Sequence, residues 1–514
     1  MKKHLLSCLA AALFIAGCAT TKTTTSSANQ EQHRPQLHFT PPANWMNDPN
    51  GMVFYKGEYH LFYQHNPGGT TWGPMHWGHA ISKDMLHWEH LPIALYPDEL
   101  GTIFSGSAVV DVNNTSGLGT TENPPMVAIF TYHNEKLEKA GRNDYQTQGL
   151  AYSLDNGRTW KKYEQNPVLK NPGIRDYRDP KVSWNDKTQQ WVMTLAVLDH
   201  IEFYSSPNLK EWKKLSEFGK SYGGHGGVWE CPDLFPLTVN GQQKWVLLVS
   251  INPGGPNGGS ATQYFVGDFN GQSFTSDNPP QTTLWVDHGK DNYAGVTWSN
   301  IPASDGRRLF LGWMSNWQYA NEVPTVAWRS AMTLPRELTL RQTKEGLRLL
   351  SQPVKELQKL RTKAISLKAQ EVQGTLDLSS RYKLNLPLLE LDLNLDVSQA
   401  QEITLKFSNT KGEQLNLGYS VKQEELFIDR TQAGKIAFKD NFPGRHVAPI
   451  KLENGKLRLH LILDFTSVEV FANGGQKVMT EIFFPNENFT QVELVTDGVT
   501  KLQDSKAYIL QPAF

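Results

Sequence analysis

From residue 37 to about residue 340, the sequence consists of short apolar or aromatic runs separated by turn dipeptides, and no long stretch has helical periodicity. One example is the run at 51–55, which is followed by Lys56-Gly57 and then by the run at 59–63, a pattern that predicts a hairpin. The 41 Gly, 29 Pro and 55 aromatic residues (15 Trp, 17 Tyr and 23 Phe) favour short strands and many turns. The sequence therefore predicts an all-β protein.

A weak repeat divides this region, with a Ser at the end of a predicted strand and a Trp six or seven residues later. The three pairs are Ser82 with Trp88, Ser153 with Trp160, and Ser206 with Trp212. Successive Trp residues are 72 and 52 positions apart (160 − 88 and 212 − 160), which allows about one four-stranded sheet per repeat. We therefore predict that residues 37–345 form a five-bladed β-propeller, because a TIM barrel would need eight helices that the pattern does not contain.

The pattern changes beyond residue 345. Val354, Leu357 and Leu360 are spaced as on one face of a helix, which predicts a linker with a short helix over residues 346–365. From 389 to 397, Leu and Val alternate strictly with acidic and amide residues, as in a strand with one buried and one wet face. We expect residues 366–514 to form a β-sandwich.

The first residues have the three parts of an export signal: two lysines, an apolar run from 5 to 15, and small residues before Cys18. The apolar run is too short for a permanent transmembrane helix. Residues 15–18, Ile-Ala-Gly-Cys, resemble the lipobox of bacterial lipoproteins. This resemblance implies that 1–17 is a signal peptide, that Cys18 carries lipid, and that the Thr/Ser-rich residues 18–36 form a flexible tether.

We therefore expect an exported bacterial lipoprotein, periplasmic or at the cell surface, that contacts the membrane only through Cys18. The alternative is an ordinary secretory signal with a chance cysteine. With Cys8 removed and Cys18 lipidated, only Cys231 would remain, so an intramolecular disulfide is not expected.

Charge and residue spacing restrict the possible partners. Fifty Lys and Arg against 51 Asp and Glu give a net charge of -1, so we expect no nucleic-acid partner. His76, His79 and His225 have suitable chemistry for a metal, but no third ligand follows at a recognisable spacing. We expect no metal and no cofactor.

Three acidic residues lie in similar local sequences. Asp48 and Asp179 each precede a proline, which disfavours the α region and holds the backbone extended, and Glu230 follows a tryptophan. Taken singly, each acid also fits an ordinary turn, and spacing alone does not select three from 51 acids.

A set of motifs, taken in their order along the chain, distinguishes these three acids from the others. These are Trp-Met-Asn-Asp-Pro-Asn-Gly at 45–51, Phe-Tyr-Gln at 62–64, Phe-Ser-Gly-Ser at 104–107, Tyr-Arg-Asp-Pro at 177–180 and Glu-Cys-Pro at 230–232. Together they resemble the motifs of the levanase, inulinase and invertase family, glycoside hydrolase family 32. The stretches at 72–79 and 312–319 are similar to bacterial levanases within it, and the resemblance extends over essentially everything after residue 36.

The resemblance implies a propeller whose axial funnel holds the three acids, followed by a β-sandwich. It makes Asp48 the nucleophile, Glu230 the general acid/base and Asp179 the stabiliser of the transition state. Cleavage of a fructosyl bond through an oxocarbenium-like state needs one ionised carboxylate and one protonated carboxyl.

By the same resemblance, nine further residues would bind the sugar. Four of them would hydrogen-bond its hydroxyl groups, and four would line its binding site or stack on its ring with their aromatic side chains. The first four are Asn47, Gln64, Ser105 and Arg178, the aromatic ones are Trp45, Trp72, Phe104 and Trp313, and the ninth is Met46. For Phe104 a place in the core of a blade remains an open alternative.

The sequence thus predicts a retaining glycoside hydrolase that releases fructose from the non-reducing ends of β-fructans such as levan and inulin, and from sucrose. An endo-acting levanase is one alternative. A catalytically silent fructan-binding lipoprotein is the other.

Overall fold

The structure is a computed structural model that describes residues 31–514. The predicted signal peptide at 1–17 and the predicted lipid site at Cys18 lie outside these residues. Within them, no helix has both the length and the apolar character that crossing a membrane requires.

The end of the predicted tether is packed rather than flexible. The Arg34 guanidinium lies 4.7 Å from the centre of the Trp328 ring and donates a 2.9 Å hydrogen bond to Thr40 Oγ1. The backbone amide of Gln36 donates to Asp464 Oδ1 at 2.9 Å. Residues 31–36 are therefore held by partners in both domains, and the tether prediction is wrong for them.

The propeller has five antiparallel sheets, as the sequence predicted. Blade 1 contains Asn44–Tyr55, Glu58–Asn66, His76–Ser82 and Trp88–Leu95. Blade 2 contains Thr102–Val110, Met126–His133, Gln146–Ser153 and Lys161–Lys162. Blade 3 contains Tyr177–Asn185, Gln190–Val197, His200–Ser206 and Lys213–Phe218. Blade 4 contains Val228–Val239, Gln242–Asn252, Ala261–Phe269, Phe274–Ser276 and Leu284–Trp285. Blade 5 contains Tyr293–Thr297, Arg308–Met314, Ala331–Met332, Arg336–Thr343 and Gly346–Pro353.

The ring of blades is closed around its axis. The first strand of each blade contacts the first strand of the next, and blade 5 contacts blade 1 in the same way. The short strand Trp328–Arg329, which follows the first two strands of blade 5 in sequence, pairs in parallel with the start of Asn44–Tyr55. This pairing joins the two ends of the propeller.

The Ser and Trp repeat is a recurrent turn between the third and fourth strands of blades 1 to 3. In each copy the Ser hydroxyl accepts a hydrogen bond from the amide two residues later, and the Trp Nε1 donates to the carbonyl three residues earlier. The indole bonds are Trp88 to Met85, Trp160 to Gly157 and Trp212 to Leu209, each at 3.0 Å. The repeat therefore marks the blades because it forms the same capped turn in each.

The predicted linker at 346–365 is shorter in the structure. Gly346–Pro353 pairs along its whole length with Arg336–Thr343, so blade 5 continues to residue 353. The apolar spacing at 354–360 does mark a helix, the 3₁₀ helix Lys355–Leu360, and Arg361–Leu367 is already a strand of the second domain. The end of the propeller lies later than predicted because one more hairpin forms, with a turn next to Gly346, whose φ is 104°.

The second domain is the β-sandwich that the sequence predicted. Its strands form one hydrogen-bonded network around a core of Leu, Ile, Val and Phe side chains. They are Arg361–Leu367, Gln370–Asp377, Leu389–Gln399, Glu402–Ser408, Gln414–Ser420, Glu425–Gln432, Arg445–Pro449, Lys456–Leu463, Ser467–Ala472, Lys477–Ile482, Gln491–Leu502 and Ser505–Leu510. The remaining helices of the described chain are Glu135–Lys139, Ala320–Glu322 and Leu378–Tyr382.

Buried ion pairs fix the sandwich to blades 4 and 5. The fully buried Arg336 contacts Asp287 Oδ2 at 2.9 Å and Glu469 Oε2 at 2.7 Å. Arg430, also fully buried, contacts Asp291 at 2.7 Å. Because buried charges are tolerated only when they are paired, these contacts hold the two domains in one arrangement.

Candidate active site

The three predicted acids lie near the beginnings of first strands, in blades 1, 3 and 4. The pairing of the strand that holds Asp48 shifts register between residues 46 and 49, and that of the strand that holds Glu230 shifts between 230 and 233. Asp179 has a φ of 63°, which a non-glycine residue adopts only where the surroundings impose it. Such bulges re-aim side chains out of the regular strand pattern, here towards the propeller axis.

The acids share a cavity of about 440 Å³ at this end of the axis. Its wall includes six of the nine residues that the sequence predicted to bind sugar: Asn47, Gln64, Trp72, Phe104, Ser105 and Arg178. The rest of the wall is formed by His133, Glu138, Tyr145, Gln146, Asp176, Val228, Asn252 and Trp317.

Two neighbours from the motif set hold the Asp48 carboxylate. Ser105 Oγ donates to its Oδ2 at 2.8 Å, and Asn47 Nδ2 donates to its Oδ1 at 3.0 Å. Burial and the nearby charge of Glu230 raise the pKa of Asp48 above its ordinary value, while the two donors oppose the rise. Ser105 and Asn47 therefore act on the nucleophile position itself.

The Asp179 carboxylate accepts a hydrogen bond from a backbone amide. The amide of Cys231 donates to its Oδ2 at 3.0 Å, and its own amide donates to Thr131 Oγ1. Burial raises its pKa to about 7, although the guanidinium of Arg178 opposes the shift. Asp179 is thus fixed at the wall by its strained backbone and by the chain next to Glu230.

Glu230 has two partners, one on each carboxyl oxygen. Arg178 donates to Oε1 from Nε at 3.2 Å and from Nη2 at 3.0 Å, and the Tyr293 hydroxyl donates to Oε2. Asp176 in turn accepts from Arg178 at 2.7 Å. Arg178, which the sequence predicted to bind hydroxyl groups, therefore orients the general acid/base position.

Cys231 connects all three acids. Its thiol lies 3.5 Å from Asp48 Oδ2 and 3.5 Å from Asp179 Oδ2, and it directly follows Glu230 in the chain. Burial raises the pKa of this thiol well above its usual value, so the sulfur is a neutral donor rather than a nucleophile.

The aromatic wall differs in part from the prediction. Trp72 is 41 % exposed at the cavity, and its ring meets Phe104 edge to face at 6.1 Å between centroids. Phe104 is part of this wall and stacks on His133 at 4.3 Å. Phe104 therefore belongs to both places, since it also packs against the core that blades 1 and 5 share.

Trp45, Met46 and Trp313 are fully buried and do not line the cavity. The half-buried Trp317 lines the cavity instead, and it packs on Trp313 at 4.9 Å and on Trp45 at 5.9 Å. The prediction that these three side chains contact the sugar is wrong. They belong to the core that blades 1 and 5 share, and Trp317 packs against this core.

The sequence did not predict Tyr293, Trp317, His133 at the end of its strand, or Glu138 in the short helix that follows. Trp317 lies inside the stretch 312–319 that the resemblance singled out, so the signal was present but the wrong Trp was chosen. Tyr293 stands in no motif that the sequence analysis used. Only the packing of blade 5 against blade 4 brings its hydroxyl to Glu230.

The three histidines considered as metal ligands have other partners. His79 stacks on Phe62 at 4.0 Å, His76 Nδ1 lies 3.0 Å from the carbonyl of Pro74, and His225 contacts Asp199. Among residues 31–514, one cluster of His200, Glu202 and Glu217 has atoms close enough to hold a metal ion. Lys214 already contacts both of its carboxylates, which leaves little negative charge for a cation.

Comparisons with known proteins agree with this geometry. Residues 38–353 match the model of the glycosyl hydrolases family 32 N-terminal domain, and residues 356–509 match that of the family 32 C-terminal domain. The chain belongs to glycoside hydrolase family 32. It is therefore a glycosidase, and the boundary between the two matches falls where blade 5 ends.

Individual relatives match both domains. A levanase of Bacillus subtilis is 51% identical over 479 residues, which cover 91% of this chain and 69% of the relative. An extracellular exo-inulinase of Aspergillus ficuum is 39% identical over 500 residues, with 91% and 92% covered. The crystal structure of the exo-inulinase from Aspergillus awamori superposes with a TM-score of 0.85 at 35% identity, over 94% of this chain and 99% of that one.

Proposed function

We propose that this family 32 enzyme is a retaining, exo-acting β-fructosidase that releases fructose from the ends of levan and inulin, and from sucrose. The observation that carries the proposal is the meeting of Asp48 and Glu230 in one cavity, with different partners on the two carboxyls. A levanase and two exo-inulinases among its relatives support this choice of substrate.

The residues support a double displacement. Glu230 in its protonated form gives its proton to the glycosidic oxygen while the ionised Asp48 attacks the anomeric carbon. The bond to the leaving sugar breaks as a covalent fructosyl–Asp48 ester forms. Glu230 then takes a proton from water, which attacks the same carbon and releases fructose with net retention. Asp179 accepts hydrogen bonds from sugar hydroxyl groups where positive charge develops on the ring.

The closed floor of the cavity favours attack at chain ends. Below the acids, Lys181 Nζ donates to the carbonyl of Thr297 at 2.5 Å and lies 3.4 Å from Asp233 Oδ2. Asp233 also accepts from the amide of Thr297 at 2.6 Å. Lys181 and Asp233 follow Asp179 and Glu230 by two and three residues in the same strands, so we place these contacts as a floor beneath the acids. Such a floor admits the end of a polymer and favours exo action.

The test is turnover by two variants. Asp48→Asn should remove fructose release while sugar binding persists, because an amide retains the shape but cannot attack. Glu230→Ala should lose less rate on an aryl fructoside with a good leaving group than on sucrose, since that substrate needs no proton. Unchanged release by Asp48→Asn, or equal losses for Glu230→Ala, would contradict the assigned roles.

A time course of products from levan separates exo from endo action. Free fructose alone at early times is expected, whereas early oligosaccharides would favour the endo-acting levanase. A wild-type chain that binds levan but releases nothing would favour the silent binding lipoprotein.

The anchor is proposed from the sequence pattern at 15–18 alone. We expect lipid on Cys18 and export of the mature chain to the periplasm or the cell surface. Metabolic labelling with palmitate should mark the wild-type protein, and Cys18→Ser should move it to the soluble fraction. Cys8→Ser, inside the predicted signal peptide, is the matched control and should leave the labelling unchanged.

A further inference from the structure

A second cavity, of about 720 Å³, lies at the opposite end of the propeller axis. The same inner strands build both cavities. In Tyr177–Asn185, the third residue is Asp179 and the last residues, from Lys181 onward, line the second cavity. Strand Val228–Val239 likewise carries Glu230 near its start and lines the second cavity with residues 233–236. We call this second space the lower cavity; the contacts of Lys181 with Thr297 and Asp233 separate it from the active site.

The lower cavity combines flat aromatic surfaces with polar groups. Trp184 and Trp245 are half-buried in its wall, and each is held edge-on by another ring, Trp191 at 5.1 Å and Phe269 at 5.3 Å. Rings that are fixed at one edge present a preformed face to a ligand. A volume of this size is ordinary for a small-molecule site.

Arg308 lies in the wall of the lower cavity, within the electrostatic reach of Asp233. Its guanidinium lies 4.9 Å from the centre of the Phe235 ring. Its buried Nε finds no acceptor among residues 31–514. Since a buried donor without a partner is costly, this arrangement is better explained by a hydroxyl or carbonyl oxygen of a ligand than by packing alone.

The charge of the wall indicates a neutral ligand. Three basic residues, Lys181, Lys187 and Arg308, are balanced by three acidic ones, Asp111, Asp186 and Asp233. An anion would gain no net attraction here, and neither would a cation. Side-chain amides of Asn113, Asn300 and Gln243, which both donate and accept, complete a set that suits hydroxyl groups.

We propose that the lower cavity is a second carbohydrate site that binds a neutral, hydroxyl-rich chain, and that this chain is a segment of the β-fructan substrate. The identity of the chain rests on the proposed function. Sugar rings stack on the Trp184 and Trp245 faces, and Arg308 donates to their hydroxyl groups. The enzyme thereby holds polymer at one end of the propeller while it cuts chain ends at the other.

The experiment compares polymer with disaccharide. Trp184→Ala, Trp245→Ala and Arg308→Gln should each lower kcat/KM on levan by about threefold to tenfold, as expected for the loss of one stacking or hydrogen-bonding contact. On sucrose, which is too short to reach both cavities, kcat/KM should stay within about twofold of the wild-type value. Trp184→Phe and Trp245→Phe keep a ring and should restore most of the levan activity.

Binding is measured separately in the inactive Asp48→Asn background by the retardation of the protein in native gels that contain levan. Each alanine variant and Arg308→Gln should be retarded less than Asp48→Asn alone. Equal falls on levan and sucrose, or unchanged retardation, would overturn the lower-cavity proposal. So would inorganic phosphate binding that disappears in Arg308→Gln while levan retardation persists.

If the proposed function is wrong, the same experiments give a different set of results. In that case the wild-type enzyme releases no fructose from either substrate, yet the retardation of the Asp48→Asn series still decides whether the lower cavity binds levan. Because Trp184 packs against Trp191, its alanine variant can lose stability. Arg308→Gln breaks no protein hydrogen bond in the described chain, although it removes the cation beside Phe235 and Asp233. The thermal unfolding temperature of each variant is therefore measured together with its kinetics.

Discussion

Removal of the Ser105 hydroxyl tests how Asp48, the proposed nucleophile, is kept ionised. Ser105 is buried, and its Oγ donates the shorter of the two hydrogen bonds that Asp48 receives from oxygen or nitrogen donors, 2.8 Å against 3.0 Å from Asn47. In Ser105→Ala the carboxylate keeps Asn47 and the weak thiol donor of Cys231. Burial and the charge of Glu230 raise the pKa of Asp48, and in the variant one hydrogen-bond donor fewer opposes this rise.

The size of the effect follows from the bond that is lost. A hydrogen bond to a charged group contributes about 1.5 to 3 kcal/mol, and one pKa unit corresponds to about 1.4 kcal/mol. The pKa of Asp48 should therefore rise by about one to two units. Asp48 must be ionised to attack, so activity is lost as the pH falls through this pKa, and Ser105→Ala should move that loss to higher pH by the same amount.

The assay is the pH profile of kcat/KM for fructose release from sucrose. Its acid limb should shift upward in Ser105→Ala, while the plateau above the limb changes less. Ser107→Ala is the matched control, because Ser107 lies two residues away in the same strand and its hydroxyl contacts only the backbone of Pro180 and Val182. An unmoved acid limb with a lower plateau would refute the reasoning and would return Ser105 to the predicted role of binding sugar hydroxyls.

Three further changes test the neighbours of the site and the domain interface. Tyr293→Phe should lower kcat by about tenfold with little change in KM, because it removes the donor that orients Glu230; steady-state kinetics on sucrose measures this. Arg336→Met should lower the free energy of unfolding by about 3 to 5 kcal/mol, since two carboxylates stay buried without their partner; thermal or denaturant unfolding reports it. Burial alone would lower the pKa of His38, but the hydrogen bonds that its ring donates to the carboxylates of Asp464 and Glu469 raise the pKa to about 9. Its contribution to stability should be complete below about pH 6.5 and lost as the pH rises through about 9, and His38→Gln should flatten that part of the curve of unfolding free energy against pH.

Each of these expectations can fail in a distinct way. A rise in KM with unchanged kcat would place Tyr293 in substrate binding instead of in the orientation of Glu230. A mild loss of stability in Arg336→Met would show that the buried pairs are dispensable for joining the domains. A curve for His38→Gln that falls as steeply above pH 6.5 as that of the wild-type protein would assign the pH dependence to other groups.

Local patterns in the sequence predicted most of the architecture. The Ser and Trp repeat marked blades 1 to 3 because each copy forms the same turn between consecutive strands, and such a turn depends on neighbours only a few residues apart. The strict alternation at 389–397 indicated a strand of the sandwich for the same reason. The start of the linker was predicted too early in the chain, because the sequence pattern at 346–353 only weakly indicates a strand that pairs with Arg336–Thr343.

The sequence by itself determined the all-β class, the two domains and, through ordered motifs, the three acids. It did so because strand alternation, turns and motifs are properties of residues that are close together along the chain. Only the tertiary structure decided that Arg178 and Tyr293 hold Glu230, that Trp317 and not Trp313 faces the cavity, and that a second cavity opens at the far end of the axis. These features depend on how five blades close into a ring. The direction in which a buried ring or guanidinium points is set by packing partners that are distant in the chain, 63 residues for Tyr293 and Glu230 and 272 (317 − 45) for Trp317 and Trp45.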